Sequence, residues 1–290
     1  MPGPFRRDIE PGAVSLRDVA SLPLRGAGVR DLGLPLPPDR MSLLRAGRPL
    51  KRWRYVGVYG PDLMLCVGEA RVAGVPQRWW AVALPDHTLR ERTTSGRGGV
   101  ELSPGRVRVK ARGVAIELQL DEGAAAIEVA SPHGRSYIWT RKQGDVPAHG
   151  RVVLDEREWT IDGSAFIDDS AGYHDRHTAW RWSAGLGRGE GGERVAWNLV
   201  DGVHDAPTQS ERTVWVNGEP REVGPAAFAA DLSAVGELRF SEWAAREDHT
   251  NRLLLRSRYR QPFGTFAGTL PGGLVLAEGY GVMEWHDVVW

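Results

Sequence analysis

The stretch AFIDDSAGYHDRHTAWRW places Asp168, Asp169, His174, Asp175 and His177 beside Tyr173, Trp180 and Trp182. Acids and imidazoles next to aromatic rings are what a protein needs to deliver a proton inside a dry pocket. Burial raises a carboxyl's pKa and so keeps its proton in place at neutral pH. The indole faces of Trp180, Trp182 and Trp197 would then stabilise developing positive charge, each by roughly 0.5 to 2 kcal/mol. In that arrangement Asp175 or Asp169 donates the proton, His177 or His174 relays it, and the Tyr173 hydroxyl orients the reacting group. A second role is open to the same residues. Asp168-Asp169-Ser170-Ala171-Gly172 is also turn chemistry, because aspartate and serine bond their own backbone amides, and His174 with Asp175 would equally serve a loop salt bridge.

Two other segments offer polar groups to the same pocket. In AEGYGVMEWHDVVW, strand alternation sends Glu284 and His286 to one face and Trp285 to the other, so the pair either lines an interior or faces solvent. In VAWNLVD, Asn198 shares its side with Ala196 and Val200, which points it into a lumen or toward a neighbouring strand. The expected ligand-binding set is therefore Trp180, Trp182, Trp197, Asn198, His174, Glu284 and His286.

Other chemistries find little support. His174 and His177 are three residues apart, a spacing that unites two imidazoles on a helix but separates them on a strand, and no metal is expected. GLGRGEGG lies between two strands rather than opening a helix, and no G-x-S-x-G occurs, so neither a nucleotide cofactor nor a serine nucleophile is expected. Cys66 is the single cysteine, which excludes an internal disulfide and argues against a zinc site built on thiolates. Lysine and arginine (37) balance aspartate and glutamate (37), so no long-range field recruits nucleic acid. No run approaches the roughly 20 apolar residues that span a bilayer, and MPGPFRRDIEPGAV has no apolar core of a secretory signal. A cytoplasmic protein is expected, of undetermined oligomeric state.

The elements that must position these groups are strands. Residues 1–41 are rich in proline and glycine and read as an extended arm lying on something else. From Met41 onward, segments such as KRWRYVGVYG, QRWWAVALPD and RVRVKARGVAIELQLDEG alternate as antiparallel strands do. The later segments EWTIDGSAFID, TAWRWSAGLG, ERVAWNLVDG, RTVWVNGEPREV and ELRFSEWA continue the style. Asn217-Gly218 and Asp162-Gly163 are dipeptides that tight hairpin turns favour, and GPAAFAADLSAV predicts one short helix. The expected fold class is all-β, with a first barrel over 42–150 and a second over 151–290.

GSAFIDDSAGYHDRHTAWRWSAGLG, RVAWNLVDG, TVWVNGE and SRYRQPFGTFAGTL, with AEGYGVMEWHDVVW, together resemble the DUF2804 family, from about Trp79 to the C-terminus. That family is similar to a wider lipocalin-like group of carotenoid 1,2-hydratases, AttH-like proteins and polyketide Diels-Alderases. The resemblance implies two lipocalin-like antiparallel β-barrels packed side by side, with a ligand pocket in or between them. Carotenoid hydratases carry a tyrosine, an aspartate and a following histidine or asparagine near an aromatic-glycine pair. Here Tyr173-His174-Asp175-Arg176-His177 holds the comparable place, with Arg176 where a histidine is expected and Ala179-Trp180 replacing the aromatic-glycine step. Three functions follow: a carrier of an apolar small molecule (lipid, isoprenoid or polyketide), a cofactor-free hydratase, cyclase or isomerase acting on such a ligand, and a scaffold whose barrels are filled by their own side chains. A lumen packed solid with tryptophan favours the scaffold, an open apolar cavity the carrier, and a cavity with one desolvated carboxyl among aromatics the enzyme. The expectation is that Asp175 or His177 lies within reach of an aromatic-lined cavity also touched by Trp180 or Trp182.

Overall fold

A computed structural model describes residues 21–290 apart from Arg97, Leu253 and Leu254. Two antiparallel sheets, each curled into a half-barrel of the lipocalin-like kind, make up almost all of it. In the first sheet the strands run Leu89–Ser95, Val75–Ala83, Met64–Val72, Lys51–Tyr59, Arg157–Gly172, Ser136–Leu154, Val114–Leu120, Arg106–Ala111 and Val100–Ser103, in spatial order. In the second they run Glu219–Glu222, Thr213–Val216, Arg194–Asp201, His177–Gly189, Val275–Val289, Leu255–Thr269, Glu237–Arg252 and Ala234–Val235. The chain crosses from one sheet to the other between Gly172 and His177.

Strand alternation gives each sheet two buried faces. Val56 and Val58 enter an apolar core inside the first half-barrel with Val67, Val82, Ile116 and Val152, whereas Tyr55 and Tyr59 point toward the second sheet. Trp197, Leu199, Met283 and Phe266 fill the second half-barrel. Between the sheets lies a third layer in which Tyr55, Phe166, Trp182, Trp215 and Phe263 meet. Of the proline-rich arm, residues 22–41 lie across the first sheet, where Val29, Leu34, Leu36 and Met41 cover Tyr137, Trp139 and Tyr173. Residues 1–20 lie outside the described segment.

Two local expectations are corrected by the structure. Asp162-Gly163 is no turn: both residues sit inside strand Arg157–Gly172, paired with His149 and Ala148. The reversal comes earlier, at Asp155-Glu156, where Asp155 takes φ 53°. GPAAFAADLSAV forms no helix. Asp231 accepts hydrogen bonds from the Ser233 amide (3.0 Å) and hydroxyl (2.6 Å), Leu232 adopts φ 64°, and Phe228 bridges Val235. That local turn chemistry outweighs the helix propensity of the alanines. Asn217-Gly218 does form its hairpin turn, with φ 51° and 85°.

Close packing of indoles over glycines sets the layer spacing. The Trp197 ring, fully buried, lies where a Cβ on Gly185 of the neighbouring strand would stand. Its Nε1 donates to Ser183 Oγ (3.1 Å), which fixes the ring in place. Gly185→Ala should therefore cost about 1–3 kcal/mol. Urea unfolding would read this as a lower midpoint; an unchanged midpoint would show that the indole is free to move aside.

Candidate functional site

Where the two sheets face each other, a cavity of about 250 Å³ remains open. One wall carries Lys51, Trp53 and Tyr55, alternate residues of a single strand, with Asp168, Ser170 and Lys142 beside them. The facing wall carries Trp180, Trp182, Glu284, His286 and Tyr259. Register explains this wall: Glu284 is paired with Trp182, and His286 with Trp180 on one side and Tyr259 on the other.

Glu284 is the best-held acid. Trp180 Nε1 donates to its Oε1 (2.8 Å), while Gln261 Nε2 (2.9 Å) and the Tyr259 hydroxyl (3.2 Å) donate to Oε2. Burial pushes the carboxyl up to about 7, against the pull of those donors, which favour the carboxylate. An acid poised there can give and retake a proton near neutral pH. Burial also pushes His286 down to about 4; its Nε2 pairs with Ser257 Oγ (2.8 Å) and its ring lies 4.4 Å from that of Trp180. The Arg246 guanidinium, 5.8 Å from the Trp79 ring and 5.6 Å from that of Tyr259, is tied to Glu91 at 2.8 Å.

A second polar cluster lies across the cavity. Lys142 Nζ stands 2.6 Å from Asp168 Oδ2 and 3.5 Å from Glu211 Oε2. Burial alone would lower the ammonium, but these two carboxylates hold it above its ordinary value. Burial drives Glu211 up to about 7, with Lys142 opposing. Trp182 joins the two clusters: it flanks Glu284 in register, its ring faces Lys142 at 5.9 Å, and its Nε1 donates to Asn198 Oδ1 (2.7 Å). Asn198 Nδ2 in turn donates to the Glu211 carbonyl (2.9 Å). Among the described residues, no three His, Cys, Asp or Glu side chains gather as metal ligands do.

A family profile for a domain of unknown function, DUF2804, matches residues 89–290. The chain belongs to the DUF2804 family. A similar solved structure is AttH-like protein NE1406 of Nitrosomonas europaea, at 13% identity and TM-score 0.51, covering 86% of the DUF2804 chain and 97% of NE1406. Kievitone hydratase of Nectria haematococca follows at 10% identity and TM-score 0.48, covering 83% and 88% respectively. The likeness to NE1406 is one of fold. Comparison with curated protein sequences gives no match. No helix among the described residues is long and apolar enough to cross a membrane.

In this DUF2804 chain the cavity gathers Trp180, Trp182, His174, Glu284 and His286. Asn198 stands behind Trp182, and Trp197 faces the opposite way into the second half-barrel. Neither Asp175 nor His177 lines the cavity. Asp175 is engaged by Arg48, and His177, with a side chain 64% exposed, pairs with Asp287 at 2.7 Å. Asp169 points to the other face of its strand, where Arg54 (2.7 Å) and Arg141 (3.7 Å) hold it. Tyr173 lies beneath the arm, its hydroxyl donating to the Ser42 carbonyl (2.8 Å). The lining groups that escaped the sequence reading include Lys142, Glu211, Tyr259 and Arg246, and also Lys51 and Trp290. Tyr259 had a signal, since in RSRYRQ the uncharged Ser257, Tyr259 and Gln261 alternate with arginines and so share an inner face. Glu211 comes from the loop after Asp201 and carries no periodic cue.

Proposed function

We propose that the cavity binds an apolar small molecule and that Glu284 transfers a proton to it, as in a cofactor-free hydratase, cyclase or isomerase. Support comes above all from one observation: a carboxyl in an aromatic wall, protonated near neutrality by burial yet met by three donors that would stabilise its conjugate base. Protonating an alkene or enol carbon forms a C–H bond from the Glu284 O–H, leaving the carboxylate to those donors. The faces of Trp180 and Trp182 stabilise the cation that results. Addition of water, ring closure or loss of a neighbouring proton then completes the reaction. Glu211, which lines the same cavity and is pushed up to about 7 by burial, takes up the second proton in this reading. No cofactor is required, and the reading includes a cytoplasmic location.

Native mass spectrometry of protein purified from its own host tests the binding half. A small apolar molecule is expected to co-purify. Returned to the protein in D₂O, it should gain deuterium at carbon or the mass of one water. Protein without any bound molecule, and without affinity for lipid, isoprenoid or polyketide probes, would sink the reading.

A further inference from the structure

Proton chemistry accounts for one end of the cavity and leaves the other, around Lys51, unexplained. Lys51 opens strand Lys51–Tyr59, lines the cavity and is 1% exposed. Its ammonium donates to the His174 carbonyl (3.3 Å) and lies 4.6 Å from the Trp290 ring. Among the described residues no carboxylate is ion-paired with it; the acid that acts on it, Asp175, is taken by Arg48. An ammonium carries three protons, so two remain without an acceptor among the described residues. Around it, His174 Nδ1 and Trp290 Nε1 are buried with no hydrogen-bond partner among the described residues. The Arg48 guanidinium acts on it as a further positive charge. A buried cation left in this state is costly to the fold unless something else occupies its protons.

We propose that Lys51, His174 and Trp290 bind the carboxylate of the ligand, so that the molecule held in the cavity is an amphipathic acid rather than a neutral hydrocarbon. This rests on the cavity being a ligand site. Lys51 and Tyr55 share one face four residues apart, on the order of 13 Å along the strand. Tyr55 is paired with Asp168, whose charge acts on Glu284. A carboxylate at Lys51 thus leaves a chain of about that length to run past Trp53 and Trp180 toward Glu284.

Decanoic acid and methyl decanoate, titrated into the full chain and followed by tryptophan fluorescence, test the assignment. The wild type should bind the acid more tightly than the ester by on the order of tenfold or more. Lys51→Met should erase that preference by weakening the acid alone, and Lys51→Arg should keep it. Thermal unfolding of Lys51→Met should begin no lower than in the wild type, since the variant loses an unpaired buried charge. Equal binding of acid and ester to the wild type, or undiminished acid binding by Lys51→Met, overturns the carboxylate site while the cavity stands as a ligand site. Equal loss of both ligands in Lys51→Met overturns it as well. Failure of the wild type to bind either molecule overturns both readings.

Discussion

Glu284→Gln is expected to slow turnover of the co-purifying ligand by roughly 10²- to 10⁴-fold, the usual worth of a positioned proton donor, while the ligand stays bound. The amide has the shape of the carboxyl and can still accept from Trp180 or Gln261, and the Tyr259 hydroxyl can turn to accept from it. What it lacks is a transferable proton. The same substitution has a signature in stability that needs no substrate. A carboxyl raised from 4.5 to about 7 on folding holds its proton more tightly in the folded chain. Its contribution to stability is therefore present at low pH and is lost as pH climbs from about 4.5 to about 7. Free of that loss, Glu284→Gln should gain on the wild type across this window by up to about 3 kcal/mol, then hold its advantage. Burial keeps His174, His204 and His286 neutral, and these work in the opposite direction as pH falls below their ordinary value. They are common to both proteins and cancel in the difference. Denaturant unfolding at a series of pH values measures it; parallel profiles for the two proteins would remove Glu284 from the role of buried acid.

Lys142→Met should be the most damaging of the cavity substitutions, at about 3–5 kcal/mol near pH 8. Lys142 and Glu211 are buried, and Asp168 nearly so, with side chains 4%, 3% and 11% exposed. Removing the ammonium leaves two carboxylates facing each other with no cation between them. One must then take up a proton, so the loss should shrink as pH is lowered toward 5. Adding Asp168→Asn and Glu211→Gln to Lys142→Met removes the stranded charges and should restore most of the stability. Equilibrium unfolding would show these effects, and a loss below about 1 kcal/mol at pH 8 would mean that water already neutralises the cluster.

The strands were legible because a period of two is written directly into the residue order. Trp180 with Trp182, and Glu284 with His286, were assigned shared faces from alternation alone, and both pairs look into the cavity. The lipocalin-like pair of sheets was legible through the family pattern. What alternation does not fix is which of two faces is the inner one. Asp168 and Asp169 are adjacent, and only the pairing with strand Lys51–Tyr59 sets Asp168 beside Tyr55 and Asp169 beside Arg54. The Arg54 and Arg141 guanidiniums then draw Asp169 outward. Likewise the link between the sheets, residues 173–176, turns Asp175 to Arg48, a partner more than a hundred residues away in the chain. The dipeptide Asp162-Gly163 has the composition of a turn, yet its neighbours pair so well along Ser136–Leu154 that the strand runs through it. Long-range pairing decided each of these points, and one sequence does not record its own pairings.

The most direct measurement is the carboxyl infrared spectrum of the wild type minus that of Glu284→Gln, followed as a function of pH. A protonated-carboxyl band that disappears with a midpoint near 7 is the expected result. A band that vanishes near 4.5, the value of a solvated glutamate, would contradict it.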